Sequence, residues 1–216
     1  MKIVIQLVLW VVIGVLGYLL FNAVYGEVKF NDLKVVRYQK AVNNLIDIQK
    51  GQLAYKQING KFAENFEQLE SFIDTAEFVL TERRDTMVLD EEATRRYRVD
   101  TRKEITIIDT LGFKSIKDSL YQGTNRYKTM KNVPIAGTDA QFEMEAGTIL
   151  KSDMPIPVFE VKVSKDVLLF DQPKDYVSKE KQALSVEEVN GAYLSVGSMT
   201  EVNTAGNWPK SYGDND

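Results

Sequence analysis

The sequence predicts an α+β protein: an N-terminal transmembrane helix continuing into a long amphipathic helix, then a mostly antiparallel β-rich head. Three observations lead there. Residues 3–26, IVIQLVLWVVIGVLGYLLFNAVYG, hold no charged side chain; residues 31–58 repeat apolar side chains at helical spacing; and past Asp74 the apolar residues fall on alternate positions. The 216 residues, 44 % hydrophobic and 27 % charged, suit one domain plus an anchor and argue against both a disordered chain and a polytopic one.

The apolar run comes first. About 20 residues rising about 1.5 Å each cross a hydrocarbon core of about 30 Å, and Tyr18, Phe21 and Tyr25 place amphipathic rings toward one interface. A cleaved signal peptide has a shorter core and a small-residue cleavage site, for which Val24-Tyr25-Gly26 is a poor substitute, so residues 1–26 read as a retained anchor. Counting cations sets Lys2 and the amino terminus against Lys29, Lys34, Arg37 and Lys40, which favours a cytoplasmic head. Long domains cross largely regardless of charge, however, and a two-residue tail is poorly suited to translocation. The expectation is a single-pass protein of the inner membrane with a periplasmic head.

Residues 27–74 read as a membrane-proximal amphipathic helix and a short second helix. Val35, Tyr38, Val42, Leu45, Ile46 and Leu53 gather in one sector, interrupted by Gln49, and Leu33, Ile48, Tyr55 and Ile58 form another. Two apolar sectors suggest one face for the chain's own head and one for a neighbour. The first sector is assigned to contact with another copy or another subunit, because its membrane-proximal members should lie farthest from the head; packing beneath the head is the competing fate. Asn59-Gly60 ends the helix, and Asn65 with Gln68 forms a capping box before Phe66, Leu69 and Ile73.

Residues 75–202 form the β-rich head. Strands are expected at 78–80, 86–89, 104–109 and 141–146, the last with Gln141, Glu143 and Glu145 outward and Phe142, Met144 and Ala146 inward. A hairpin turning at 151–155 leads into Phe159, Val161 and Val163. A short helix fits 174–184, and Asn190-Gly191 signals a second hairpin, in competition with a capped helix from Ser185. Residues 203–216 lack periodicity and read as a loose tail.

Composition removes most chemistry. With no cysteine and no histidine there are no disulfides, thiolate nucleophiles, cysteine or histidine metal sites, or imidazole bases. A formal net charge of −4 supplies no field for nucleic acid. The run 82–104 alternates acids with bases and reads as solvated surface; Glu143, Glu145 and Glu160 could converge as an acid/base pair but read as the wet face of a sheet. The tail's Asp214-Asn215-Asp216 lacks the glycine and distal Glu of a calcium loop, and no phosphate-cradling glycine motif occurs. The expectation is therefore no catalytic residues, cofactor, metal or small-molecule substrate, with the bilayer and other membrane-machine subunits as partners.

The stretch QLAYKQINGKFAENFEQL, residues 52–69, closes the long helix with Tyr55, Gly60, Phe62, Phe66 and Leu69. In this it resembles the end of the first helix of type IV pilins and type II secretion pseudopilins, over about residues 3–73 when element order is included. The first acid is Glu27, so the acid that pilins place early in the membrane helix has no counterpart. Single-pass assembly-platform components of the same machines share the short tail, one span, helix and α+β head. The resemblance implies a membrane-anchored structural or assembly subunit of a bacterial envelope machine; a membrane-tethered ligand-binding or sensor module is the alternative.

Overall fold

The computed structural model describes residues 2–213, the side chains of residues 22 and 23 excepted. Its spine is α1, Lys2–Asn59, an unbroken helix of 58 residues that measures about 87 Å at about 1.5 Å per residue. No proline interrupts it, and Gly26 stays helical. Among the described residues α1 is the helix long and apolar enough to cross a membrane, through its N-terminal part. Gly60, at φ +73°, closes it by donating its N–H to the Lys56 carbonyl at 2.8 Å.

Helix α2, Phe66–Thr75, begins with the expected cap: the Asn65 side chain accepts from Gln68 N at 2.9 Å, while Gln68 Oε1 accepts from Glu64 N at 3.1 Å. Strands β1, Glu77–Leu89, and β2, Arg102–Ser115, then pair antiparallel as a two-stranded ribbon, with helix α3, Glu91–Tyr97, at its tip. The segments expected at 78–80 and 86–89 are thus two ends of one 13-residue strand. Its polar middle, Thr81 to Asp85, remains a strand because both ribbon faces meet water, so no apolar alternation is required.

After α4, Ile116–Tyr121, comes the head's own sheet: β3, Glu143–Lys151; β4, Met154–Ser164; and β5, Tyr193–Gly197, antiparallel in the order β3-β4-β5. Ser152 and Asp153, both at positive φ, make the β3–β4 turn, within the expected link. Gly197 must be glycine: at φ +78° an added Cβ would stand 2.2 Å from the Phe159 carbonyl oxygen. Between β4 and β5 lie α5, Lys165–Leu168, and α6, Lys174–Lys181.

Two expectations fail here. Asn190-Gly191 makes no hairpin; the Asn190 side chain accepts from Ser185 N at 2.9 Å and closes a loop, and β5 pairs with β4 instead. The capped helix from Ser185 reduces to a single turn. The stretch from residue 203 is not loose over its described part: Trp208 is buried, Gly206 bridges to Val196, and Gln39 Nε2 donates to the Tyr212 carbonyl. A lone large aromatic gives no periodicity, yet burying one ring contributes enough to hold a short tail. Residues 214–216, and the weak calcium reading placed there, lie outside the described residues.

One core joins α1 (Tyr38, Val42, Leu45, Ile48) to α2 (Leu69, Ile73), the sheet (Phe159, Val161, Leu194, Val196), Tyr121, Tyr127 and Trp208. The division at residue 74 therefore marks a change of local structure within one packed unit. Tyr38, Tyr121 and Tyr127 are all buried. Burial raises the phenol pKa of each, for Tyr127 to about 12 with help from its hydrogen bond to Asp74. A phenol raised in the fold contributes stability that is complete below the unfolded value near 10 and is lost as pH climbs beyond it. In an alkaline titration, tyrosinate absorbance from these three rings should rise only together with unfolding; early independent ionisation of all three would contradict the packing.

Candidate interaction surfaces

The helix stripe Val35, Tyr38, Val42, Leu45, Ile46 and Leu53 is divided by the fold. Tyr38, Val42 and Leu45 are buried in the chain's own core, and Ile46 packs partly against it. Val35 and Leu53 remain 47 % and 39 % exposed. Three of the six assigned partner residues are thus core residues, a correction with a clear cause. The covered face runs through Lys34, Tyr38, Ala41, Leu45, Ile48 and Gln52, a three-four spacing that includes two polar side chains. Apolar residues alone locate the stripe one sector to the side, straddling the edge of the head. The second sector divides too: Ile48 is buried, Leu33 and Tyr55 pack partly against the core, and Ile58 is exposed.

The head also reaches lower on α1 than expected. Phe30 packs on Tyr176 with ring centroids 5.1 Å apart, and the Tyr176 hydroxyl lies 3.0 Å from where a Cβ on Gly26 would stand. Helix α6 is held there by charge. Lys34 Nζ meets Glu180 Oε2 at 2.8 Å, Tyr38 donates to Glu180 Oε1, and Lys165 Nζ donates to the carbonyls of Glu180 and Val189, each at 2.7 Å. Burial works against the Lys34 ammonium, yet the Glu180 carboxylate outweighs it and the pKa is raised; for Lys165 burial prevails and the pKa is lowered. With acceptors around its whole ammonium, Lys165 ties α5 to α6 and to the loop before β5. Higher up, Gln52 accepts from Ala63 N at 2.9 Å and donates to its carbonyl at 3.0 Å, pinning the loop after α1.

Beside this contact, α1 and residues 134–136 border a groove of about 500 Å³ lined by the apolar Val36 and Ile135 and by Lys29, Asp32 and Lys40. Arg37 at its edge is committed to Asp171 by a two-pronged pair at 2.6 and 2.7 Å, which holds the Asp171 carboxyl down to about 2. On the sheet, Glu145 and Glu160 stand directly opposite each other, with Lys162 Nζ 3.9 and 3.4 Å from them. The expected wet-face carboxylates therefore do converge, around a cation that offsets their repulsion.

The ribbon stands on the surface of the head. None of its residues from Glu77 to Leu89 or from Arg102 to Ser115 is buried, although they include Val79, Leu80, Met87, Ile108, Leu111 and Phe113. Its charges answer one another along the surface, as in Arg83 with Asp85 and Arg95 with Glu91. Two strands without a third leave both outer edges with unused backbone donors and acceptors, and a two-stranded ribbon gains little stability by itself. No motif marks it in sequence; the only available signal was strand-forming residues without alternation. No protein-family model, curated protein or solved structure matches the chain, so these surfaces are read from their geometry alone.

Proposed function

We propose that the protein is a membrane-anchored structural or assembly subunit of a bacterial envelope machine of the pilus or secretion type, with its head on the periplasmic side. The observation supporting this is the ribbon: apolar side chains and two free strand edges, carried on a head that shares its buried core with α1. Exposed edges invite strand addition, and proteins that do not use them usually shorten or cover them. The pilin-like order of elements agrees with this reading, since a continuous helix from bilayer to head transmits position without a flexible linker. The groove lined by Val36, Ile135, Lys29, Asp32 and Lys40 favours a second reading, a tethered module that captures a ligand.

Excision tests the first reading. Phe78 and Lys114 are paired across the base of the ribbon, so residues 79–113 can be replaced by a short Gly-Ser turn. Full-length protein in mild detergent should run as an assembly larger than one chain, and the excised protein as a monomer. Because the ribbon adds nothing to the buried core, the melting temperature of the head should move by only about 4 °C or less. An excised protein that keeps its assembly would remove the ribbon from this role, and a full-length protein that is monomeric throughout would favour the ligand-binding reading.

A further inference from the structure

We propose that the free edge of β2 pairs antiparallel with β2 of a second copy of this chain, with Thr106 on the two-fold axis. This rests on the reading of the ribbon as the assembly element and names its partner. When a strand pairs antiparallel with its own copy, residues equidistant from the axis face each other, so each choice of axis fixes a complete set of opposed side chains. Placing the axis at Thr106 sets Lys103 opposite Asp109 of the second copy, and the symmetry repeats that pair. Ile105 then faces Ile107, Glu104 faces Ile108 and Arg102 faces Thr110, each twice, with no like charges opposed. Opposite charges and paired β-branched residues are the cross-strand contacts that favour a sheet.

Neighbouring registers lose this match. An axis at Ile105 sets Lys103 against Ile107, and one at Ile107 sets Asp109 against Ile105. On the other edge, every axis from Glu82 to Asp85 sets a charged residue against itself. The irregularity of the ribbon falls between Leu80 and Thr81, where Leu111 is the extra residue of β2, so residues 102–110 are regular and available for pairing. The complementary groups are at the surface, Lys103 and Asp109 being 58 % and 45 % exposed at their side chains, where within the chain they meet Asp90 and Arg84, exposed pairs that a neighbouring strand can share.

The chain has no cysteine, so single introduced thiols report position without interference. In membranes from cells making the full-length chain, Thr106→Cys should give a disulfide-linked dimer on mild oxidation, at least about tenfold more than Glu104→Cys. The latter pair of thiols would be four residues apart along the strands, about 13 Å, beyond the reach of a disulfide. In the Thr106→Cys background, Lys103→Asp or Asp109→Lys alone should lower the yield about tenfold, by opposing like charges twice. Producing the two variants together should restore it, in a mixed dimer, because each then supplies the charge the other lacks. Neither variant disturbs a buried group, and an unchanged melting temperature will show that both fold.

Equal cross-linking at 104 and 106, no dimer at 106, insensitivity to the charge changes, or adducts only with a different protein would each overturn the pairing. If the pairing fails while ribbon excision still dissolves the assembly, the ribbon binds some other subunit and only the identity of the partner falls. If excision has no effect either, both readings fall together.

Discussion

Val42→Asp is expected to unfold the head, whereas Val35→Asp, seven residues earlier in the same helical sector, is expected to leave it folded. The two substitutions carry the same penalty in helix propensity, so their difference reports burial alone. Val42 is fully buried beneath the head, and an unpaired carboxylate there costs about 4 kcal/mol or more, a large part of the total stability of an ordinary domain, about 5–15 kcal/mol. Val35 is half-exposed, where changes usually stay within about 0.5 kcal/mol. Unfolding of the full-length chain in detergent can be followed by the fluorescence of Trp208, which is buried in the same core, in a Trp10→Phe background that removes the other indole. Equal losses at the two positions would mean that the head covers Val35 as well. Equal tolerance would mean that α1 and the head do not pack as described.

The contrast shows what the sequence made legible. The apolar N-terminal run, the long helix, its glycine stop, the Asn65 cap and the β3–β4 hairpin all follow from local rules, because each is decided by residues within a few positions of one another. Apolar residues alone misplace the covered face of α1, because its two ends are the polar Lys34 and Gln52. Their burial depends on partners 146 and 11 residues away, Glu180 and Ala63, and no local pattern announces such a partner. Extending the three-four spacing through polar positions would have found the face, since Lys34, Tyr38, Ala41, Leu45, Ile48 and Gln52 keep it without interruption.

The ribbon was hidden for the opposite reason. A strand half-buried in a core is recognised by alternation, and β1 and β2 have no buried side to create one. Residues 82–104 accordingly read as solvated charge. They are solvated, and they also include the ends of both strands and the tip helix α3 between them. The tail reads as loose because its anchoring depends on single residues, Trp208 and Tyr212, rather than on a repeat. The assembly role we propose rests on one of these less legible parts, the ribbon, while the regular elements build the spine that carries it.

Glu180→Ala should be the most damaging change among the polar residues, at about 3–5 kcal/mol near neutral pH. The substitution leaves Lys34 and Lys165 buried without the carboxylate they share, and it removes the acceptor of the Tyr38 hydroxyl. Its pH dependence identifies the cause. Lys165 already titrates below the usual lysine value because burial disfavours its charge, and losing Glu180 removes the main opposing attraction, lowering it further. Between that folded value and the unfolded one near 10.4, the unfolded chain binds more protons than the folded chain, so stability rises with pH. The deficit of the variant relative to the parent should therefore be larger at pH 6 than at pH 9, where its buried lysine can shed the proton it cannot solvate. Glu180→Gln, which keeps an acceptor near Tyr38 and most of the volume, should fall between the parent and Glu180→Ala. Urea unfolding of the full-length chain at the two pH values measures this directly. A deficit that does not change with pH would assign the loss to packing, and one below about 1 kcal/mol would mean that α6 is not held to α1 through charge at all.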